Sequence, residues 1–334
     1  MAKVVTLGEI MLRLATVAGT RIDCSHQFQA MYGGREANVA ISLANFGHQA
    51  AFASKVPNNA LGRAVKKHLN SYGVSTEYLL FGGDRLGTYY MEAGVGERAA
   101  SVIYDRSHSS FAVMEELEWN FVEMLKDVDL LHLSGITPAL SKRWESLLLE
   151  IIENAKKVKV KISFDINYRG KLWSQSEAGS FLEKVLPQVD YCSAGKMDAI
   201  YLLGIEPYQG NEEELIYYYQ KIQELYPNIQ VLYSTKRTVY SASSNDLVGT
   251  LWLDQKYYES SLHKMDPIVD RVGGGDAFSA GVLHGILSGY SAQQIVDFAT
   301  TASALKHTVQ GDCNPFTISD IEAFTASGSG KIIR

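Results

Sequence analysis

Apolar and polar positions follow two rhythms along the chain. Short apolar runs at Val4-Val5-Thr6-Leu7, Ala50 to Val56, Val128 to Leu133, Val158 to Asp165 and Ile229 to Tyr233 predict β-strands. Between them, apolar residues recur at helical spacing. Leu61, Val65, Leu69 and Tyr72 form one such stripe, with Gly73 as its expected stop. Leu147, Leu148, Ile151, Ile152 and Ala155 form another, and Ile295, Phe298, Ala299, Ala302 and Leu305 a third. Strand–helix alternation predicts an α/β fold with a mainly parallel sheet covered on both faces. Two regions, residues 10–32 and 78–106, break the rhythm with strand-like segments that have no helix between them. Leu86 to Glu92 and Ala100 to Arg106, separated by a stretch containing Gly94 and Gly96, predict a hairpin. The expectation is a small β element projecting from the α/β core.

Length changes this picture little. At roughly 150 residues per domain, 334 residues suggest about two domains. The pattern instead predicts one α/β unit over 1–334, with the strands of the β element drawn from about 10–32 and 78–106 and a flexible tail at 326–334. A hydrophobic content of 46% and a net charge of -6 exclude disorder as the main state. The same charge leaves no basic excess for nucleic acid. The one basic run, Lys156, Lys157, Lys159 and Lys161, reads as a solvated helix end leading into a strand. Cys24, Cys192 and Cys313 stand far apart, which speaks against a zinc site or a disulfide framework and suits a reducing compartment. No signal-peptide layout or membrane-length apolar stretch stands out, so a soluble, cytoplasmic protein is expected.

Two glycine-rich segments could carry chemistry. The later one is Asp270-Arg271-Val272-Gly273-Gly274-Gly275-Asp276-Ala277-Phe278. An apolar helical pattern follows it (Phe278, Val282, Ile286), with Gly289 as the stop. The glycines therefore lie at a helix N-terminus, where free N–H groups and the helix dipole favour an anion such as a phosphoryl group. Asp276 could accept a proton from a hydroxyl; the plainer reading is an N-capping aspartate after a glycine turn. The earlier segment is Tyr32-Gly33-Gly34-Arg35-Glu36-Ala37-Asn38, again entering a helix. Its open backbone and Asn38 could meet a small polar ligand, or form an ordinary loop-to-helix junction. The final Gly330-Lys331 is no phosphate-binding loop, since Ile332 replaces the required Ser or Thr.

Together, in this order, the two segments resemble the PfkB (ribokinase-like) family of carbohydrate kinases. Within it the chain is most similar to kinases of 2-keto-3-deoxygluconate, on Gly8 to Leu14, Tyr104-Asp105-Arg106, Asp165 to Arg169 with Leu172-Trp173, and Gly311-Asp312. The resemblance implies a three-layer α/β/α core with a small β-sheet lid, and ATP-dependent phosphorylation of the sugar acid at its terminal hydroxyl. It implies Asp276 as general base and the amides of Gly273, Gly274 and Gly275 as the anion hole. It implies Gly33, Gly34, Asn38, Tyr90, Tyr104, Arg106, Arg169 and Asp312 as the sugar-acid pocket. Asn167, Asp198, Thr235, Lys236, Gly273, Gly275 and Ala304 would border ATP. Mg²⁺ would bridge the ATP phosphates with few protein ligands, none of which the sequence assigns. The resemblance also raises the odds of a homodimer, for which an exposed apolar lid could serve as the contact.

Arginine suits a carboxylate through its forked donors, so Arg106 and Arg169 could converge on the acid group. Each could instead make a surface ion pair, and Arg169 could meet a nucleotide phosphate. Two departures from the family pattern stand out. Gly195-Lys196-Met197-Asp198 occupies the place of an Asn-x-x-Glu motif, and Pro57 to Gly62 lacks the first Gly and the Asp of a Gly-x-Asp-x-x-Gly loop. The alternative functions are a kinase of fructose or a ketose phosphate, and a non-catalytic sugar-acid-binding protein. A nicotinamide oxidoreductase fits poorly, because Leu7-Gly8-Glu9-Ile10 stands where its glycine fingerprint belongs.

Overall fold

In a computed structural model, which describes residues 1–327, the apolar runs assemble into one large sheet. In chain order the strands are β1 (Lys3–Leu7), β2 (Met11–Ala15), β3 (Gln29–Gly33), β4 (Gln49–Val56), β5 (Leu79–Phe81), β6 (Thr88–Glu92) and β7 (Ser101–Asp105). There follow β8 (Leu130–Ser134), β9 (Lys161–Asp165), β10 (Tyr191–Ser193), β11 (Val231–Ser241), β12 (Ser244–Leu253), β13 (Lys256–Glu259) and β14 (His263–Met265). The helices are α1 (Arg35–Asn45), α2 (Ala60–Ser71), α3 (Phe121–Met124), α4 (Lys142–Lys157) and α5 (Gln175–Val185), then α6 (Lys196–Tyr201), α7 (Glu214–Leu225), α8 (Gly274–Leu287), α9 (Ala292–Lys306) and α10 (Ile318–Ser327).

The large sheet runs β13-β12-β11-β10-β9-β8-β1-β4-β5, with β14 paired to β12. Strands from β11 to β5 pair in parallel, and β12, β13 and β14 add antiparallel neighbours at one edge. A parallel strand buried on both faces needs apolar residues at successive positions. Along β1, Val4 packs with α1, α2, α8 and α9, while Val5 and Leu7 pack with α4, α5 and α7. These are the two helical layers that the alternation predicts.

Helix starts are encoded locally. Ser141 caps α4 on Trp144 N–H, and Ser174 with Glu177 forms a capping box on α5. Helix α8 is apolar all round, because it is enclosed by α1, α9 and the sheet. The basic run lies as expected: Lys156 and Lys157 end α4, and Lys161 opens β9. The strand expected from Val158 begins only at Lys161, since Lys159 turns the chain at φ 62°.

The second sheet has the order β3-β2-β6-β7. Strands β6 and β7 form the hairpin expected there, with Glu92 opposite Ser101. The central pair, β2 with β6, is parallel. Its inner face carries Met11, Ala15, Tyr89 and Met91 toward Val272. One segment of the expected lid belongs elsewhere: Leu79–Phe81 extends the large sheet beside β4. Of the tail expected at 326–334, Ala326 and Ser327 lie in α10, and 328–334 fall outside the described residues. Among the described residues no helix is long and apolar enough to cross a membrane.

Candidate active site

Gly273 caps helix α8, and its φ of 80° places it in the left-handed region that favours glycine. A side chain there would also strike the Asp312 carbonyl. The Gly274 N–H donates to the Arg271 carbonyl at 3.3 Å and closes the turn. That removes Gly274 from the expected anion hole, and its Cα faces the His307 ring. The N–H groups of Gly273, Gly275 and Asp276 remain free among the described residues, at the positive end of a 14-residue helix.

Asp276 does not cap this helix; Gly273 holds that position without a side-chain bond. The buried Asp276 side chain turns instead toward α1. Asn38 Nδ2 donates to Asp276 Oδ2 at 2.7 Å, so the Asn38 amide is aimed at the carboxylate. Arg35 Nη1 lies 2.8 Å from Asp276 Oδ1 in an ion pair, and Oδ1 takes no hydrogen bond. Burial raises the Asp276 pKa, against the charge of Arg35 and the bond from Asn38. A buried carboxylate with one unbonded oxygen beside free amides can take a proton where an anion is held.

A cleft of about 1140 Å³ opens between the lid sheet and this helix start. It is lined by Gly33, Gly34, Asn38, Tyr104, Arg106, Arg169, Gly273, Gly275, Asp276 and Asp312 from the expected set. Tyr90 is not among the lining residues. It points to the opposite face of β6, edge-on to Phe28, and Tyr89 faces the cleft. The reason is register: β6 pairs Tyr89 with Arg13, which places both on the inner face. Arg106 donates from Nε to Glu9 Oε2 at 2.9 Å and also pairs through Nη2. Arg169 lines the cleft with no side-chain partner among the described residues, and is exposed there.

Beneath the lid lies a buried ion network. Arg13 Nη2 sits 2.7 Å from Asp270 Oδ2, and Nη1 sits 2.6 Å from Asp312 Oδ1. The Tyr89 hydroxyl donates to Asp312 Oδ2. Burial opposes the charge on Arg13, but Asp312 and Asp270 outweigh it and hold the guanidinium protonated. Glu36, 2% exposed, also lines the cleft and accepts from Ser134 Oγ at 2.6 Å. Burial, only partly offset by that bond, pushes its carboxyl up to about 7.

A second cavity of about 400 Å³ is lined by Gly195, Lys196, Asp198, Ser234, Thr235, Lys236 and Gly275, among others. Asp198 Oδ2 accepts the Gly195 N–H at 2.9 Å, and burial pushes its carboxyl up to about 6. Lys236 pairs with Glu213 at 3.1 Å and with Glu259. Two residues expected at a nucleotide line neither cavity. Asn167, at φ 39°, buries its Nδ2 without a partner among the described residues, and Ala304 lies within α9. Arg35 and Gly275 line both cavities.

Sequence reasoning missed Glu9, Arg13, Arg35, Glu36, Tyr89 and Asp270 as parts of this site. For Arg35 and Glu36 a signal existed, since both lie inside the first glycine segment. For Arg13 it was alternation, because Met11, Arg13 and Ala15 share one face of β2.

The family model described as pfkB family carbohydrate kinase matches residues 1–318. A 2-dehydro-3-deoxygalactonokinase of Haloferax volcanii is 32% identical, over 100% of this chain and 99% of its own. Among solved structures, a PfkB family carbohydrate kinase of Listeria grayi is 46% identical, with a TM-score of 0.94, over 97% of this chain and 100% of that one. A 2-dehydro-3-deoxygluconokinase of Thermotoga maritima is 36% identical, also with a TM-score of 0.94, over 98% and 100%.

Proposed function

Because the chain belongs to the pfkB family of carbohydrate kinases, we propose that it transfers the γ-phosphoryl group of ATP to the terminal hydroxyl of 2-keto-3-deoxygluconate. The product is 2-keto-3-deoxy-6-phosphogluconate. The observation that carries the acid substrate is Arg169: a guanidinium without a partner among the described residues, in the same cleft as Asp276 and the Gly273–Gly275 turn. A neutral sugar gives that charge no partner, whereas a carboxylate accepts its forked donors. Arg106 is less suited to the role, since Glu9 already occupies two of its nitrogens.

In this reading ATP fills the second cavity and its γ-phosphoryl group reaches the free amides of Gly273 and Gly275. Asp276 takes the proton of the sugar hydroxyl on Oδ1, and Asn38 keeps the carboxylate turned for it. The reaction needs positioning and charge stabilisation more than covalent chemistry. Among the described residues no cluster of three or more acidic, His or Cys side chains could hold a metal. A magnesium ion that keeps most of its water still fits, with Asp198 as the carboxylate lining the second cavity that no lysine already pairs, since Glu214 there is held by Lys196. When bound, it neutralises phosphate charge.

The test is a coupled ADP-release assay over sugars and sugar acids, with Asp276→Asn beside the wild type. The expected result is a preference for 2-keto-3-deoxy acids and a kcat loss of about 10²–10⁴-fold in the variant. A preference for fructose, or full activity in Asp276→Asn, would overturn the proposal. The 32% identity to the Haloferax galactonate-type kinase favours the C4 epimer as a second substrate, so both epimers belong in the panel. The proposal extends to a homodimer through the outer lid face, where Phe28 is exposed. Sedimentation at micromolar concentration, with Phe28→Lys as the disrupting variant, decides it.

A further inference from the structure

We infer that Arg35 is a catalytic residue, whose guanidinium exchanges its ion pair with Asp276 for contact with the phosphoryl group in transit. This rests on the kinase reading above and deepens it.

The first observation is position. A group passing from the nucleotide cavity to the sugar cleft must cross their boundary, and Arg35 and Gly275 are the residues that line both. Gly275 offers a free N–H there. Its Cα has no side chain to screen the arginine, and a Cβ on Gly275 would sit 3.6 Å from Arg35 Nη1. A backbone donor and a cation thus face the crossing point together.

The second observation is how Arg35 is held. Its Nη2 pairs with Asp165 at the end of β9, and its Nη1 with Asp276 at the start of α8. The Asp165 contact is aligned as a hydrogen bond, whereas the Asp276 contact at 2.8 Å is an ion pair without hydrogen-bond alignment. One partner therefore anchors the guanidinium and the other can be released. About one fifth of the Arg35 side chain is open to solvent, against 5% for Asp276, so the arginine and not the aspartate presents its face to the cavities.

The third observation is chemical. As the reaction proceeds, the hydroxyl oxygen forms its bond to phosphorus while the bond from phosphorus to the β–γ bridging oxygen breaks. That electron pair leaves with ADP, and the hydroxyl proton passes to Asp276. A protonated Asp276 no longer compensates Arg35. The guanidinium then has one carboxylate in place of two, at the moment when negative charge sits on the equatorial phosphoryl oxygens nearby. The attraction is stronger in the transition state than in the ground state, which is the condition for acceleration. A staple that merely joined α1 to α8 would be complete before any reaction and would not change strength during it.

The experiment compares wild type, Arg35→Ala and Arg35→Lys in steady-state kinetics from pH 5 to 9, with both substrates varied. Wild type is measured first: if it phosphorylates no sugar or sugar acid, the kinase reading fails and not this inference. Given an active wild type, Arg35→Ala is expected to lower kcat by roughly 10³-fold, with both KM values within about threefold. Arg35 also holds the Asp276 pKa down, so its loss moves the acid limb of kcat/KM to higher pH. Added guanidinium ion is expected to restore part of kcat in Arg35→Ala, and Arg35→Lys to fall between the two, with charge but no fork. A kcat loss under about fivefold, an acid limb that stays in place, or a rise in KM alone would each overturn the inference. If Arg35→Ala fails to fold by circular dichroism, the same pH readout on Arg35→Lys decides it.

Discussion

Replacing Arg13 with methionine removes one cation from between two buried carboxylates while keeping the length and apolar stem of the side chain. The arginine and both aspartates are each about 4% exposed as side chains, so water cannot take over the lost contacts. Breaking a buried pair by removing one partner costs about 3–5 kcal/mol. Two features set where in that range this site falls. Asp270 keeps the N–H groups of Val272 and Gly311, each at 3.1 Å, and Asp312 keeps the Tyr89 hydroxyl. Arg13 Nε is also buried without a partner among the described residues, so its removal relieves an unmet donor. Both point to the lower half, about 3–4 kcal/mol. An unfolding entropy near 2.1 cal/mol/K per residue gives about 0.7 kcal/mol/K for 334 residues, hence a fall in Tm of about 4–6 °C. Scanning calorimetry measures it. The double variant Arg13→Met with Asp270→Asn should be more stable than the two separate losses predict, by about 1 kcal/mol or more. A Tm change under about 1 °C, or strict additivity, would refute the idea that this network fastens the lid to the core.

Other outcomes follow from the same geometry. Arg169→Ala should raise the KM for the sugar acid by about 10–100-fold and leave the KM for ATP nearly unchanged, because a charge-assisted bond contributes about 1.5–3 kcal/mol; equal effects on both substrates would place Arg169 at the nucleotide instead. Tyr89→Phe breaks the bond to Asp312 and should raise the sugar KM, whereas Tyr90→Phe, on the far face of β6, should not; steady-state kinetics distinguish them. Glu36 titrates near 7 when folded and near 4.5 when unfolded, so the folded state holds the extra proton and stability falls as pH rises across that window. Glu36→Gln removes this slope, and its Tm relative to wild type should rise from pH 5 to pH 8; a constant difference would contradict the burial argument.

The parallel core was legible because each strand buries both faces, which leaves unbroken apolar runs. The antiparallel edge was not. Strands β12 and β13 turn at Asp254 and Gln255, both at positive φ, without the Asn-Gly or Asp-Gly pair that marks such turns in a sequence. The upper part of β11 has half-buried and exposed positions, so its apolar signal ends at Tyr233 although the strand continues to Ser241. Within the site, the glycine turn declares itself through local composition. Arg35 shares a glycine segment, but its role does not show there, because it depends on Asp165 and Asp276, which lie 130 and more residues away. Tyr90 shows the opposite failure: the right residue type in the right strand, one position out of register, points away from the cleft.

Only Gly34 separates lid strand β3, which ends at Gly33, from α1, which begins at Arg35. Gly34 is fully extended, and any side chain on it would strike the Glu9 carbonyl. The joint is therefore short and sterically confined. A tilt of the lid has no slack in which to dissipate and reaches Arg35 and Asn38, the two side chains that hold Asp276, within a few residues. The expected consequence concerns water. With no sugar acid to settle the lid, the base loses its alignment, and a water molecule in the cleft makes a poor acceptor. The stiffness of one glycine joint, more than the size of the cavity, would then set how much sugar phosphate is made for each ATP consumed.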